Sequence, residues 1–328
     1  MTPVAIALGL TLLSPALRPA EPSAMSLDAL CTEAFTDAVR QFPDDKFTPK
    51  DVGISLAFID RPNKSVSMGG YRASVTMYPA SVVKMFYFAY AAHLLDTGQL
   101  KMTPELQRAA EDMIKVSSND ATGYMIDLCC GTTPGPELSP DQLAEFGRQR
   151  RAVNDWFGGL GYSGVNAVQR TFNEGPYGRE RQWVGEKYEN RNMLSPEACT
   201  RLIADIALGK HWSKEQTAWM QGILARWNPQ DEPEKADGQA KAYTGRVIPK
   251  GAKLWSKAGW TSEVRHDCAW VMMPDGREYV VTVFTKRGNN RLLVSSIAAG
   301  LFRRLGYEIP EPEATPEELR LMVEGVTD

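Results

Sequence analysis

Residues 78–95 read YPASVVKMFYFAYAAHLL, and one lysine stands in the middle of them. Between Arg72 and Asp96, Lys84 is the only side chain that carries full charge at neutral pH. The valines, methionine and aromatics around it predict a buried helix. A charge inside such a helix costs several kcal/mol unless it is paired or sheds its proton. Ser81 lies one helical turn earlier, so the stretch contains S-x-x-K, a pattern found once in the chain. Positions i and i+3 share a helix face, which predicts that the Ser81 hydroxyl and the Lys84 amine come within hydrogen-bonding reach. A lysine in dry surroundings loses basicity toward water and can act as a base toward a serine. The alternative is a helix-capping serine followed by a lysine whose head reaches solvent.

Working outward, SLDALCTEAFTDAVRQF predicts a helix. DVGISLAFID and KSVSMGGYRAS predict two strands joined at RPNK. Residues from about 100 to 227 are mostly helical in pattern. TPELQRAAEDMIKV begins with Thr103 as cap and Pro104 in the first turn, and two further segments begin with Ser-Pro and end at glycine. Of these two, SPDQLAEFGRQRRAVNDWFGGLG predicts one continuous helix, and TFNEGPYGRERQWVGEKYENRNML a long loop. NPQDEPEKADGQA is a polar surface crossing. Strand periodicity then returns in KLWSKAGW, HDCAWVMMP and REYVVTVFTK, the last two joined at Asp275-Gly276. NRLLVSSIAAGLFRRLG closes as a helix. The fold expected is α+β: an antiparallel β-sheet flanked by terminal helices, with an inserted all-α lobe and a cleft between lobes. The expected boundaries are an α/β lobe of residues 26–80 and 240–310, an all-α lobe of residues 81–239, and an acidic peripheral tail over 311–328.

The chain has 328 residues, is 43% apolar and 23% charged, and carries a net charge of −3. That balance, with no basic stripe, excludes nucleic acid as the expected partner. The three histidines (His93, His211 and His266) are scattered, without HExxH or paired CxxC, so no metal and no cofactor are expected. Residues 1–25 hold an apolar run of signal-peptide length followed by small residues and prolines, though no Lys or Arg stands in front of it. Export to a periplasmic or extracellular space, no integral membrane span and a monomer are the expectations. Five cysteines, two of them adjacent, do not describe a disulfide scaffold.

Two more short patterns carry chemistry. Ser117-Ser118-Asn119 is an S-x-N between two helical segments, able to aim a hydroxyl and an amide into one space, although Ser and Asn are also common caps. Lys257-Ala258-Gly259 lies on a predicted strand, where the lysine suits an anionic group and the glycine lets a ligand approach the backbone.

In this order, S-x-x-K, S-x-N and K-x-G resemble the serine β-lactamases and penicillin-binding proteins, class A β-lactamases above all, from about Gly53 to Gly306. The resemblance implies an acyl-enzyme hydrolase acting on a small β-lactam or a peptidoglycan-like peptide. β-Lactam amide hydrolysis is the leading activity. A D-Ala-D-Ala peptidase or acyl-transferase, and a non-catalytic wall-binding relative, are the alternatives. It makes Ser81 the nucleophile, Lys84 its base and Ser117 the proton donor to the leaving nitrogen. Asn119 holds the acyl amide and Lys257 the substrate carboxylate. The backbone N–H groups of Ser81 and Trp260 form the oxyanion hole, with Gly259 beside them and Arg265 a candidate second carboxylate contact. Two departures stand out. Ala258 replaces the usual Thr or Ser, a loss of one hydrogen bond to a charged group worth about 1.5–3 kcal/mol. The water-activating loop signature E-x-x-L-N is absent, which leaves Glu174, with Glu180 behind it, as the candidate deacylation base.

Overall fold

The computed structural model describes residues 25–324, so the leader expected over 1–25 lies, but for Met25, outside the described residues. The elements in chain order are α1 (Leu27–Gln41), β1 (Val52–Asp60), β2 (Ser65–Tyr71), α2 (Lys84–Asp96), α3 (Pro104–Lys115), α4 (Asn119–Cys130), α5 (Pro140–Arg150) and α6 (Ala152–Gly159). There follow β3 (Val165–Asn166), α7 (Gly178–Val184), β4 (Met193–Leu194), α8 (Pro196–Leu208), α9 (Lys214–Leu224), β5 (Ala225–Arg226) and α10 (Gly238–Ala242). The last are β6 (Lys253–Trp260), β7 (Arg265–Met272), β8 (Glu278–Thr285), α11 (Leu293–Arg304) and α12 (Pro316–Glu324).

The main sheet is antiparallel, in the order β2-β1-β8-β7-β6-β5. β8 lies inside it and every one of its residues is buried, whereas β2 at the edge is exposed or half-buried throughout. Two apolar layers follow from strand alternation. Ile54 and Leu56 of β1 join Ala34 of α1 and Phe302 of α11 on one face. Ala57 and Ile59 join Leu202 of α8 and the buried side chains of α2 on the other. α2 is apolar all round because it is packed all round: ten of its residues are buried, Lys84 included. The α+β architecture expected from the sequence is the one found.

Local chemistry sets the helix starts. Thr103 Oγ1 accepts from the N–H of Leu106 at 3.1 Å, and Ser195 Oγ from that of Ala198 at 3.2 Å. Four expectations need correction. The helix over 139–161 is two helices that meet at Arg151. The 171–194 loop contains α7 and the strand β4, which pairs with β3. β5 adds a sixth strand, too short to leave a periodic signal. The polar crossing at 228–240 contains α10, whose Asp237 side chain caps Ala240 N–H. The acidic tail is fastened by an ion pair between Arg246 and Glu318.

Candidate active site

Three segments far apart in sequence meet beside the N-terminal end of α2. The chain enters through Pro79 into a 3-10 turn, Ala80–Val83, and Lys84 opens the α-helix. Ala80 has φ +45°, a left-handed conformation that a residue with a Cβ adopts only under constraint. Two contacts supply that constraint. The ring of His266, wholly buried on β7, bonds the Tyr78 carbonyl through Nε2 at 2.9 Å and accepts the Thr285 N–H at Nδ1 at 3.0 Å. An Nδ1 that accepts leaves the proton on Nε2, so Nε2–H is the donor to Tyr78. Burial lowers the pKa of this imidazole to about 4 and keeps it neutral. Gly259, the cross-strand partner of His266, supplies the second contact. A Cβ at Gly259 would stand 2.7 Å from both Pro79 O and Ser81 N, so only glycine lets β6 back onto this turn.

The direct Ser81–Lys84 hydrogen bond expected from their spacing is not made. Lys84 is 0% exposed, and its Nζ lies 2.5 Å from Ser117 O, 3.2 Å from Ser117 Oγ and 2.8 Å from Asn119 Oδ1. Those three acceptors hold the amine toward the S-x-N turn instead. Burial brings the Lys84 pKa down to about 7.

The two serines of the S-x-N segment divide the work. Ser118 is the cap of α4, its Oγ accepting from Ala121 N–H at 3.1 Å. Ser117 adopts φ +63° and turns its Oγ between two lysines, since Lys257 Nζ donates to it at 3.1 Å. Lys257 is 0% exposed and also donates to Gln239 Oε1 at 2.9 Å and Ala258 O at 2.7 Å. Burial first, then the charges of Lys84 and Arg226, push the Lys257 pKa well below its usual value. The methyl of Ala258 is buried in the apolar layer that contains α1 and α11.

Gln239 had no signal in the sequence beyond its place in a polar stretch, yet it joins three elements. Its Oε1 accepts from Lys257 Nζ and from Ala258 N–H at 3.0 Å, and its Nε2 donates to Lys115 O at 2.8 Å at the end of α3. Arg226 straps the same corner, donating to Ile114 O at 3.0 Å and to Ser256 O at 3.1 Å, with Asp237 as its counter-ion at 2.5 Å. Arg265 is 4% exposed, lies 4.6 Å over the Tyr243 ring, and lines a cavity of about 390 Å³ with Gln239, Trp260 and Arg291. Of the expected anion-binding residues, Arg265 lines this hollow, while Lys257 is wholly buried behind Gln239.

The opposite wall is the 170–180 loop. Asn119 donates from Nδ2 to Phe172 O at 3.1 Å and to Asn173 Oδ1 at 2.7 Å. The loop side chain at the cluster is thus the amide of Asn173, which the sequence had not singled out. Glu174 is exposed, and its one hydrogen bond among the described residues is from Tyr177 OH at 3.5 Å. Glu180 is buried and paired with Arg150; burial raises its carboxyl pKa while that guanidinium pulls it back. Neither carboxylate is brought to Ser81 or Lys84.

Among the described residues no group of His, Cys, Asp and Glu could hold a metal ion, and no helix is long and apolar enough to cross a membrane. Residues 102–309 match the model of the beta-lactamase enzyme family. No curated protein matches the chain. Several solved structures share its fold. A beta-lactamase from Chitinophaga pinensis aligns at 17% identity and TM-score 0.58, over 83% of this chain and 97% of that one. The TLA-1 extended-spectrum beta-lactamase aligns at 11% and 0.59, over 84% and 100%. PBP-A aligns at 19% and 0.56, over 88% and 98%. With the family matched over more than half of its length, and a serine-lysine turn, an S-x-N turn and a strand lysine gathered at one cleft, the chain belongs to the beta-lactamase enzyme family.

Proposed function

We propose that this chain is a serine acyl-enzyme protein, acylated at Ser81 by β-lactams and by carbonyls of D-Ala-D-Ala type, and slow to release the acyl group. The reading rests above all on the pairing of an acylation cluster (Lys84, Ser117 and Lys257) with a loop that meets Asn119 through the amide of Asn173 and not through a carboxylate.

Acylation would use Lys84 and Ser117 as proton carriers for Ser81. A lysine with a pKa of about 7 is half neutral at neutral pH, and its amine then has two N–H donors and one lone pair. The donors suit Ser117 O and Asn119 Oδ1. The lone pair is left to accept a hydroxyl proton, from Ser81 on attack and from Ser117 at rest. Because Lys257 donates to Ser117 Oγ, the proton of Ser117 is free for another acceptor. As the Ser81 Oγ–carbon bond forms, the Ser81 proton passes to Lys84. As the carbon–nitrogen bond breaks, Ser117 protonates the leaving nitrogen and is refilled from Lys84. The N–H groups of Ser81 and Trp260 would bind the oxyanion, and no acceptor among the described residues takes the Ser81 N–H. Lys257 and Arg265 would receive the substrate carboxylate.

Deacylation needs a water deprotonated beside the ester, and an amide cannot do that. A variant of PBP-A has been solved as an acyl-enzyme complex with penicillin G, so the shared fold accommodates such an adduct. Intact mass spectrometry with benzylpenicillin tests the reading. We expect a penicilloyl adduct that persists over hours and is absent from Ser81→Ala. An adduct that vanishes within seconds, with penicilloate accumulating, would instead make the protein a β-lactamase with Glu174 moving in as base. No adduct at all would leave a non-catalytic binder.

A further inference from the structure

Asn119 and Glu174 border a second hollow, on the other side of the cluster from Arg265. It has a volume of about 350 Å³ and is lined by Asp120, Arg170, Tyr177 and Glu180 as well. An acyl chain held at Asn119, the role the resemblance implies for it, would lead into this hollow and meet its lining.

That lining is acidic. Asp120 and Glu174 are exposed, and no cation among the described residues pairs with either of them. The side chain of Glu180 is only 6% exposed; one carboxylate oxygen is paired with Arg150, and the other, Oε2, has no hydrogen-bond partner. The one cation in the lining, Arg170, is spent on Asp127 and on the Gly123 carbonyl. Arg179 at the rim turns toward the carbonyls of Pro136 and Thr133. Tyr177, 74% exposed, stands over the mouth with its ring free to cover an alkyl segment.

We infer that this hollow is a subsite for an acyl side chain ending in a positively charged amine, and that the preferred acyl donors are peptides or β-lactams bearing an ammonium group in the acyl part. The inference rests on the acylation reading above and adds the substrate class to it. An ammonium offers three N–H donors to the carboxylates of Asp120 and Glu174, which now face water, and behind them Glu180 Oε2 still lacks a donor. A carboxylate-bearing side chain would meet the same field as repulsion.

The test compares acylation rate constants for benzylpenicillin, its α-amino counterpart and its α-carboxy counterpart, read by intact mass at low salt. The expected order is amino, then neutral, then carboxy, with about fivefold between neighbours, the size set by one or two exposed charge contacts. The double variant Asp120→Asn, Glu174→Gln should compress that spread, as should raised salt; both positions are on the surface, so folding is not in question. Equal rates for the three compounds, with adducts formed, overturn this inference and leave acylation standing. The same order undiminished in the double variant also overturns it, since the preference would then arise elsewhere. No adduct from any compound overturns the acylation reading and this subsite with it.

Discussion

Gly259 on β6 stands so close to Ser81 that a single added carbon would lie 2.7 Å from the serine's backbone nitrogen. The other atoms in its way, Pro79 O and Val82 N, are also backbone and cannot rotate aside. The strand that carries Lys257 thereby sets the position of the turn that carries Ser81.

Gly259→Ala should push that turn away from β6. We expect about a hundredfold slower acylation, as for a shift of about 1 Å in a reacting group, with a stability loss of about 1–3 kcal/mol. Penicillin labelling kinetics and chemical denaturation check the two parts separately.

Acylation should rise with pH and level off above about 7, since only the neutral amine of Lys84 accepts the Ser81 proton. The sign follows from burial, which disfavours the ammonium and places the change inside the measurable range. Lys84→Met should remove the pH dependence together with most of the rate.

His266 makes stability fall in acid. Its pKa is about 4 in the fold against 6.5 in the open chain, so between those values the unfolded state holds a proton that the folded state lacks. Stability should be full above pH 6.5 and lower by about 3 kcal/mol at pH 4. His266→Gln, which keeps an N–H donor for Tyr78, should flatten this limb and retain acylation. His266→Phe should lose acylation, because nothing then holds the Tyr78 carbonyl.

Gln239→Ala takes one of three acceptors from Lys257 Nζ and removes the partners that Gln239 gives the Ala258 N–H and the Lys115 carbonyl. We expect a loss of about 1–3 kcal/mol in urea denaturation. Weaker non-covalent binding of carboxylate ligands should accompany it, measured by calorimetry on Ser81→Ala.

The sheet, the terminal helices and the helical insertion were legible from residue pattern and capping residues, because those signals are local: short β-branched and aromatic runs bounded by turn residues in β7 and β8, and proline after Thr103 or Ser195. The break at Arg151 was not legible, since the helical pattern runs through it. Lys84 announced itself by its cost in an apolar stretch. Lys257 could be placed only by the motif order, and Ser117 could not be told from a capping serine until Ser118 was seen to cap.

By itself the sequence determined which residue types are available and roughly where each element starts, and it gave Lys84 its dry surroundings. Tertiary structure alone decided what those residues touch. His266 reaches Tyr78 across 188 positions, Gln239 reaches Lys257 from a segment that reads as surface, and Asn173 meets Asn119 where a glutamate was expected. The first two of these contacts pair polar groups that burial leaves without water, and burial is a property of the assembled layers that no stretch of chain carries alone.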